Sequence, residues 1–351
     1  MHDEITIGNN IISSKNRPFI IAEMSGNHNQ SLDKALSIVD AAAAAGADAI
    51  KLQTYTADTI TLDSKNKDFS IKNKDSLWVG ENLHNLYKKA NTPWDWHYEI
   101  FKRANQKGIL CFSSPFDETA VDFLENLEVP AYKIASFENN HIPLIKKVAR
   151  TGKPMIISTG LAKLNEIELA VDTARENGCS NIVLLKCTST YPADPKDSNL
   201  NTIPHMKELF NLQIGISDHT LGIGAAIAAV SLGASVIEKH FTLSRDDGGI
   251  DAEFSLEPDE FKTLVEESKK AWLSLGKISY GPTKNEKESL MFKRSIYASN
   301  NIKKGEEFTS KNIKVVRPGY GAPPFLFENL IGKFAKKDFT YGTPIKLEDL
   351  I

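Results

Sequence analysis

Two histidines and a set of lysines, serines and carboxylates carry the chemistry open to this sequence. His219 in Ser-Asp-His-Thr and His240 in Glu-Lys-His-Phe each stand just behind a short apolar run, and the two runs are consecutive in the chain. If those runs are neighbouring parallel strands, the imidazoles reach one side of a sheet rim at a spacing that suits a metal. Two neutral nitrogen ligands leave positions open for water and a substrate carbonyl, which a divalent ion would polarise. Two hydrogen-bonded histidines without a metal satisfy the same spacing. Lys51 and Lys133, with Lys186 as a third, and the hydroxyls of Ser114, Ser136, Ser158, Ser189 and Ser217 lie behind other apolar runs. Ammonium groups among hydroxyl donors suit a phosphate or carboxylate. The alternative is a separate ion pair for each lysine, because an unpaired buried ammonium is costly. Glu23 and Asp251 are the carboxylates placed for proton transfer, with Glu138 a further one and Gln53 beside Lys51. His28 is a third imidazole. Arg317, in Val-Val-Arg-Pro-Gly-Tyr-Gly, either makes a surface salt bridge or offers a guanidinium to a substrate.

The elements that must position these groups are legible from periodicity. Eight apolar runs, at 19–22, 49–52, 109–112, 131–134, 155–157, 182–185, 213–216 and 235–237, lack polar alternation, as strands buried on both faces do. Helix-period sequence separates them, for example at 32–45, 93–106, 118–127, 165–176, 222–232 and 258–275. Eight βα units predict an α/β fold of the (β/α)8 TIM-barrel type, whose active sites gather at the C-terminal ends of the strands. An open doubly wound sheet is the competing fold, but no Gly-x-Gly-x-x-Gly follows the first strand. The stretch 54–92 reads as a long excursion over the rim with its own short helix. The Gly-, Pro- and charge-rich stretch 277–289 reads as a linker between a barrel at 1–276, with a short N-terminal extension, and a small domain at 290–351.

Composition excludes several function classes. Lys plus Arg at 42 against Asp plus Glu at 45 gives a formal charge of −3, without the basic excess of a nucleic-acid binder. Three widely spaced cysteines without Cys-x-x-Cys fit reduced thiols, and no secretory pattern opens the sequence, so a cytoplasmic protein is expected. The longest uncharged run, 220–237, is broken by Gly222, Gly224 and Gly233, and no membrane partner is expected.

The motifs IAEMSGNHNQS, GADAIKLQTY, CFSSPF, YKIASFENNHIPLI, IISTG, LLKCTSTYP, GISDHTLG and GASVIEKHFTL, followed by an RPGYG segment, resemble the nonulosonic (sialic) acid synthase family along nearly the whole chain. The resemblance implies a barrel followed by a small C-terminal antifreeze-like (SAF) domain, in a homodimer whose small domain reaches the partner active site. It implies condensation of phosphoenolpyruvate with an acetamido sugar, using Mn2+ or Mg2+. His219 and His240 then resemble the metal ligands, and Lys51, Ser114, Lys133, Ser136, Ser158 and Ser217 the phosphoenolpyruvate contacts. Glu23, Gln53, Tyr191 and Asp251 would face the sugar, and Arg317 would come from the other subunit. The chain departs from the usual pattern at CTSTYP, where Ser189 replaces an Asn contact, and at KIASFE. With the SLW segment and TYTADTITL, these departures look more like the pseudaminic branch than the N-acetylneuraminate branch. That branch implies a product for surface glycans or flagellin modification. The competing expectations are another nonulosonate synthase, or a sugar-binding protein with a vestigial barrel.

Overall fold

In the computed structural model, which describes residues 4–73 and 77–349, the eight apolar runs become the staves of a closed barrel. Lys74, Asp75 and Ser76, on which part of the charge run in the excursion and the start of the SLW segment fall, lie outside the described residues, as do the ends of the two sequence-defined domains. A hairpin of β1 (Ile5–Ile7) and β2 (Asn10–Ile12) comes first. Then follow β3 (Phe19–Glu23), β4 (Ala49–Thr54), β5 (Leu110–Pro115), β6 (Tyr132–Ile134), β7 (Met155–Ser158), β8 (Ile182–Cys187), β9 (Gln213–Asp218) and β10 (Val236–His240). All are parallel, and β10 closes on β3. The expected TIM-type barrel is therefore the observed one.

Each strand has two buried faces, and they differ. The outward residues, such as Ile20, Ile50, Leu52, Ile134, Leu184, Ile214 and Ile237, pack with the surrounding helices. The inward residues at the start of the strands, among them Phe19, Ile21, Ala49, Phe112, Ile156, Val183, Leu185 and Val236, form a second cluster with Ile5, Ile7 and Ile12 of the hairpin. The short N-terminal extension thus shares the apolar filling at the start of the staves. Helices Ile142–Ala149 and Thr202–Phe210 join those anticipated from periodicity. The excursion after β4 carries two helices, Ala57–Ile60 and Leu83–Ala90, where one was expected. Among the described residues no helix is long and apolar enough to cross a membrane.

Gly215 shows how tight the barrel lumen is. A Cβ there would collide with the carbonyl oxygen of Val236 and come within 2.7 Å of Leu185 Cδ2. We expect Gly215→Ala to cost about 1–3 kcal/mol by overpacking. Denaturant unfolding of the purified variant measures this, and unchanged stability would show that the lumen has room to spare.

The chain forms two compact units, Met1–Gly276 and Lys277–Ile351. The second unit has its own core of Ile296, Ile302, Phe308, Ile313, Leu330, Phe339 and Ile345, built around the antiparallel pair β11 (Ser295–Ala298) and β12 (Ile313–Val316).

Candidate active site

One rule of alternation builds the site. Side chains two residues apart on a strand share a face, so each apolar inward row ends in polar residues near the C-terminal end of its strand. Ile21 leads to Glu23, Ala49 to Lys51 and Gln53, Phe112 to Ser114, Ala131 to Lys133, Ile156 to Ser158, Leu185 to Cys187, Gly215 to Ser217 and His219, and Val236 to Glu238 and His240. The out-of-phase residues point to the helices. Asp218 and Lys239 meet there in a buried ion pair at 2.7 Å, beside the strands that carry both histidines.

Lys51 Nζ lies 2.5 Å from Glu23 Oε2, 3.9 Å from Glu238 Oε2 and 3.3 Å from Ser114 Oγ. Lys133 Nζ donates to Ser158 Oγ at 2.7 Å and lies 3.4 Å from Glu238 Oε1, which also accepts from Ser217 Oγ at 3.0 Å. The lysines therefore do sit in ion pairs, as the bland reading expects, but in one shared network of two ammoniums and two carboxylates. Ser136 and Ser189 flank Gly160, where an added Cβ would clash with both hydroxyls. Lys186 was expected to join this cluster and does not. It follows Leu185 on the opposite face, is half-buried, and donates to the carbonyl of Cys187 at 3.0 Å. Cys187 takes the inward place.

The register of β9 and β10 sets His219 against His240, with ring centroids 5.3 Å apart and planes at 56°. His219 Nδ1 is 3.0 Å from the carbonyl oxygen of Thr188, so this nitrogen donates, and in the neutral ring Nε2 keeps its lone pair. His240 Nδ1 is buried without a hydrogen-bond partner, and Asp251 Oδ2 lies 3.8 Å away. One oriented imidazole and one orphaned buried nitrogen fit a divalent cation. Among the described residues no three His, Cys, Asp or Glu side chains form a ligand set, so this pair supplies two positions only. Tyr191 packs on His219 at 4.6 Å, Phe254 on His240 at 4.8 Å, and Trp78 from the excursion on Tyr191 at 6.0 Å. His28 is elsewhere: its ring meets Thr92 Oγ1 at 3.2 Å and the edge of Trp96, where it braces a loop. Arg317 is an exposed residue of the second unit.

Burial dominates the titration of this mouth. It lifts Glu23 to about 7 against the pull of Lys51, and Glu138 to about 7 against that of Lys133. It holds His240 well below the usual imidazole range, with His219 adding to the effect, and it lowers Lys133. Burial would raise Glu238, but Lys133 and Lys51 outweigh it and hold its carboxyl below the ordinary value. A carboxyl raised on folding contributes stability fully present below about 4.5 and lost as pH rises through about 7. Glu138→Gln is therefore expected to gain stability relative to wild type between pH 5 and pH 7. Chemical denaturation at both pH values checks this, and the comparison cancels the opposite contribution of His28, which burial lowers to about 4. An equal difference at the two pH values would mean that the Glu138 carboxyl is solvated.

Sequence reasoning places Glu238 at the end of its strand without giving it a role, and it misses Cys187 and Ser25. Glu238 bridges both lysines, and its place two residues before His240 on a strand was the available signal. Ser25 contacts Asp251 and Gln53 from a loop, where no periodicity applies.

Residues 38–280 match the NeuB family and residues 293–351 the SAF domain. The chain is 45% identical over 343 residues to the pseudaminic acid synthase of Campylobacter jejuni, covering 98% of this chain and 99% of that one. It is 42% identical over 335 residues to the pseudaminic acid synthase of Helicobacter pylori, covering 95% and 98%. The crystal structure of an N-acetylneuraminic acid synthetase from Leptospira borgpetersenii in complex with citrate superposes with a TM-score of 0.73 at 36% identity, covering 82% of this chain and 94% of that one.

Proposed function

The chain belongs to the NeuB family, and from that membership we propose that it condenses phosphoenolpyruvate with 2,4-diacetamido-2,4,6-trideoxy-L-altropyranose and water to give pseudaminic acid and phosphate. The observation that carries the reading is the meeting of Lys51 and Lys133 with two imidazoles in one barrel mouth, in a chain similar over nearly its whole length to pseudaminic acid synthases.

In this reading Lys51 and Lys133, with the hydroxyls of Ser114, Ser136, Ser158 and Ser217, hold the enolpyruvate anion by charge-assisted hydrogen bonds. Glu23, Gln53, Tyr191 and Asp251 line the side where the open-chain sugar sits, and Ser189, where an Asn contact is usual, lies beside Ser136 at Gly160. His219 and His240 would hold Mn2+ or Mg2+, which when bound supplies Lewis-acid polarisation of the aldehyde oxygen. The enol C3 forms the new carbon–carbon bond to the aldehyde carbon. Water then adds to the cationic C2, and phosphate leaves with cleavage of its C–O bond. Glu23 titrates near 7 and lies at 2.5 Å from Lys51, so it can take the proton of that water and return one to the new alkoxide. The reading includes a cytoplasmic homodimer in which Arg317 of one copy serves the active site of the other.

The test is phosphate release by purified protein with phosphoenolpyruvate, Mn2+ and one of three sugars: the altrose derivative, N-acetylmannosamine or the legionaminic precursor. Fastest turnover with the altrose derivative is expected. Preference for either of the others would reject the branch, and no turnover with any of them would reject the synthase.

A further inference from the structure

Ser25 is a serine in a conformation made for glycine. Its φ is +46°, in the left-handed region that costs an ordinary side chain energy, and it is 4% exposed directly behind β3. A strained, buried polar residue persists where its surroundings or its function require it. Its surroundings here are functional groups. Gln53 Nε2 donates to Ser25 Oγ at 3.1 Å and to Glu23 Oε1 at 2.9 Å. An amide nitrogen only donates, so Ser25 Oγ accepts there and must spend its single proton elsewhere. That proton goes to Asp251 Oδ2 in a short hydrogen bond. The chain of bonds therefore has one direction, from Gln53 outward to Glu23 on one side and through Ser25 to Asp251 on the other. Both carboxylates are held as acceptors, and each keeps one oxygen for other partners.

We propose that Ser25 is a positioning residue of the condensing site: its hydroxyl couples Asp251 to Glu23 through Gln53 and fixes the carboxylate of Asp251 at the sugar side of the mouth. The proposal rests on the synthase reading given above. Glycine would satisfy the backbone at this position and alanine would not, yet neither offers a hydroxyl. Strain and hydrogen bonding can therefore be separated by two substitutions.

Ser25→Gly and Ser25→Ala are compared with wild type in the full-length protein. The Gly variant is expected to melt above the Ala variant, because only the Ala variant keeps the backbone strain. Both are expected to lose a similar factor in kcat/KM for the sugar, about 10²-fold as for a displaced catalytic group, while KM for phosphoenolpyruvate stays within about twofold of wild type, since the hydroxyl lies on the sugar side. Crystal structures of wild type and Ser25→Gly supply a readout independent of turnover, in which the Asp251 carboxylate and the Gln53 amide leave their wild-type positions. Activity that tracks melting temperature, with the Gly variant close to wild type, would reduce Ser25 to a structural residue. An Asp251 side chain unmoved in Ser25→Gly would overturn the proposal as well. If wild type releases no phosphate with any of the sugars, the synthase reading fails, and the crystal structures still decide whether Ser25 places Asp251.

Discussion

His219→Ala is expected to lower turnover on the order of 10³-fold or more while the barrel stays folded, and chelation of divalent cations is expected to do the same to wild type. The size follows from what the imidazole touches. Thr188 fixes its Nδ1 as a donor at 3.0 Å, which leaves Nε2 as the nitrogen able to bind a cation. Its neighbour His240 lies in an adjacent strand with a buried, unpartnered Nδ1. In the metal reading, deleting one of the two imidazoles removes half of the nitrogen ligands, and among the described residues no set of three His, Cys, Asp or Glu side chains could hold a metal ion. The folding cost is small by comparison. The carbonyl of Thr188 and the thiol of Cys187 lose their contact with the imidazole, for about 1–3 kcal/mol, and the Asp218–Lys239 pair that ties β9 to β10 is untouched. Phosphate release, circular dichroism and melting temperature with and without Mn2+ check the claim. Turnover within tenfold of wild type, or a wild type indifferent to chelation, would reject the metal reading of the two histidines.

The fold was readable because strands buried on both faces must be apolar throughout, and the eight runs of Ile, Val, Leu and Phe are little else. The polar rim was readable for a related reason, since a charged or imidazole side chain ending such a run must find a polar partner, either in a structural pair such as Asp218–Lys239 or in the mouth. What periodicity could not tell was which face a rim residue takes. Position alone groups Lys186 with Lys51 and Lys133, but it is one residue out of phase with Val183 and Leu185, and Cys187 holds the inward place. Applying the two-residue period strictly would have exchanged Lys186 for Cys187 and added Glu238. Ser25 lay beyond any such rule. Its role depends on a positive φ and on contact with Asp251, 226 residues away in sequence, and neither is written in local pattern. The departure from apolar filling at the strand ends therefore locates the mouth, whereas the hydrogen bonds within the mouth come from the closed barrel.

The shared network of lysines makes Glu238 a residue whose loss should strongly destabilise the free protein. In that network two ammoniums meet two carboxylates, Glu23 at 2.5 Å from Lys51 and Glu238 at 3.4 Å from Lys133. Glu238→Gln leaves Lys133, 2% exposed, with the hydroxyl of Ser158 as its nearest partner. Breaking a buried pair from one side typically costs about 3–5 kcal/mol, because the remaining charge is stranded away from water. A second anion offered to the same ammoniums should offset that loss. Inorganic phosphate or phosphoenolpyruvate is therefore expected to raise the melting temperature of Glu238→Gln by more than it raises that of wild type, in which Glu238 already occupies the cations. Removing the charge from both sides, in Lys133→Met with Glu238→Gln, is expected to recover most of the stability and to abolish the extra response to phosphate. Equal phosphate shifts in wild type and Glu238→Gln would mean that the anion binds away from Lys51 and Lys133. The same measurement on His219→Ala separates the two halves of the mouth, because an imidazole lost from β9 leaves both ammoniums in place and should leave the phosphate response intact.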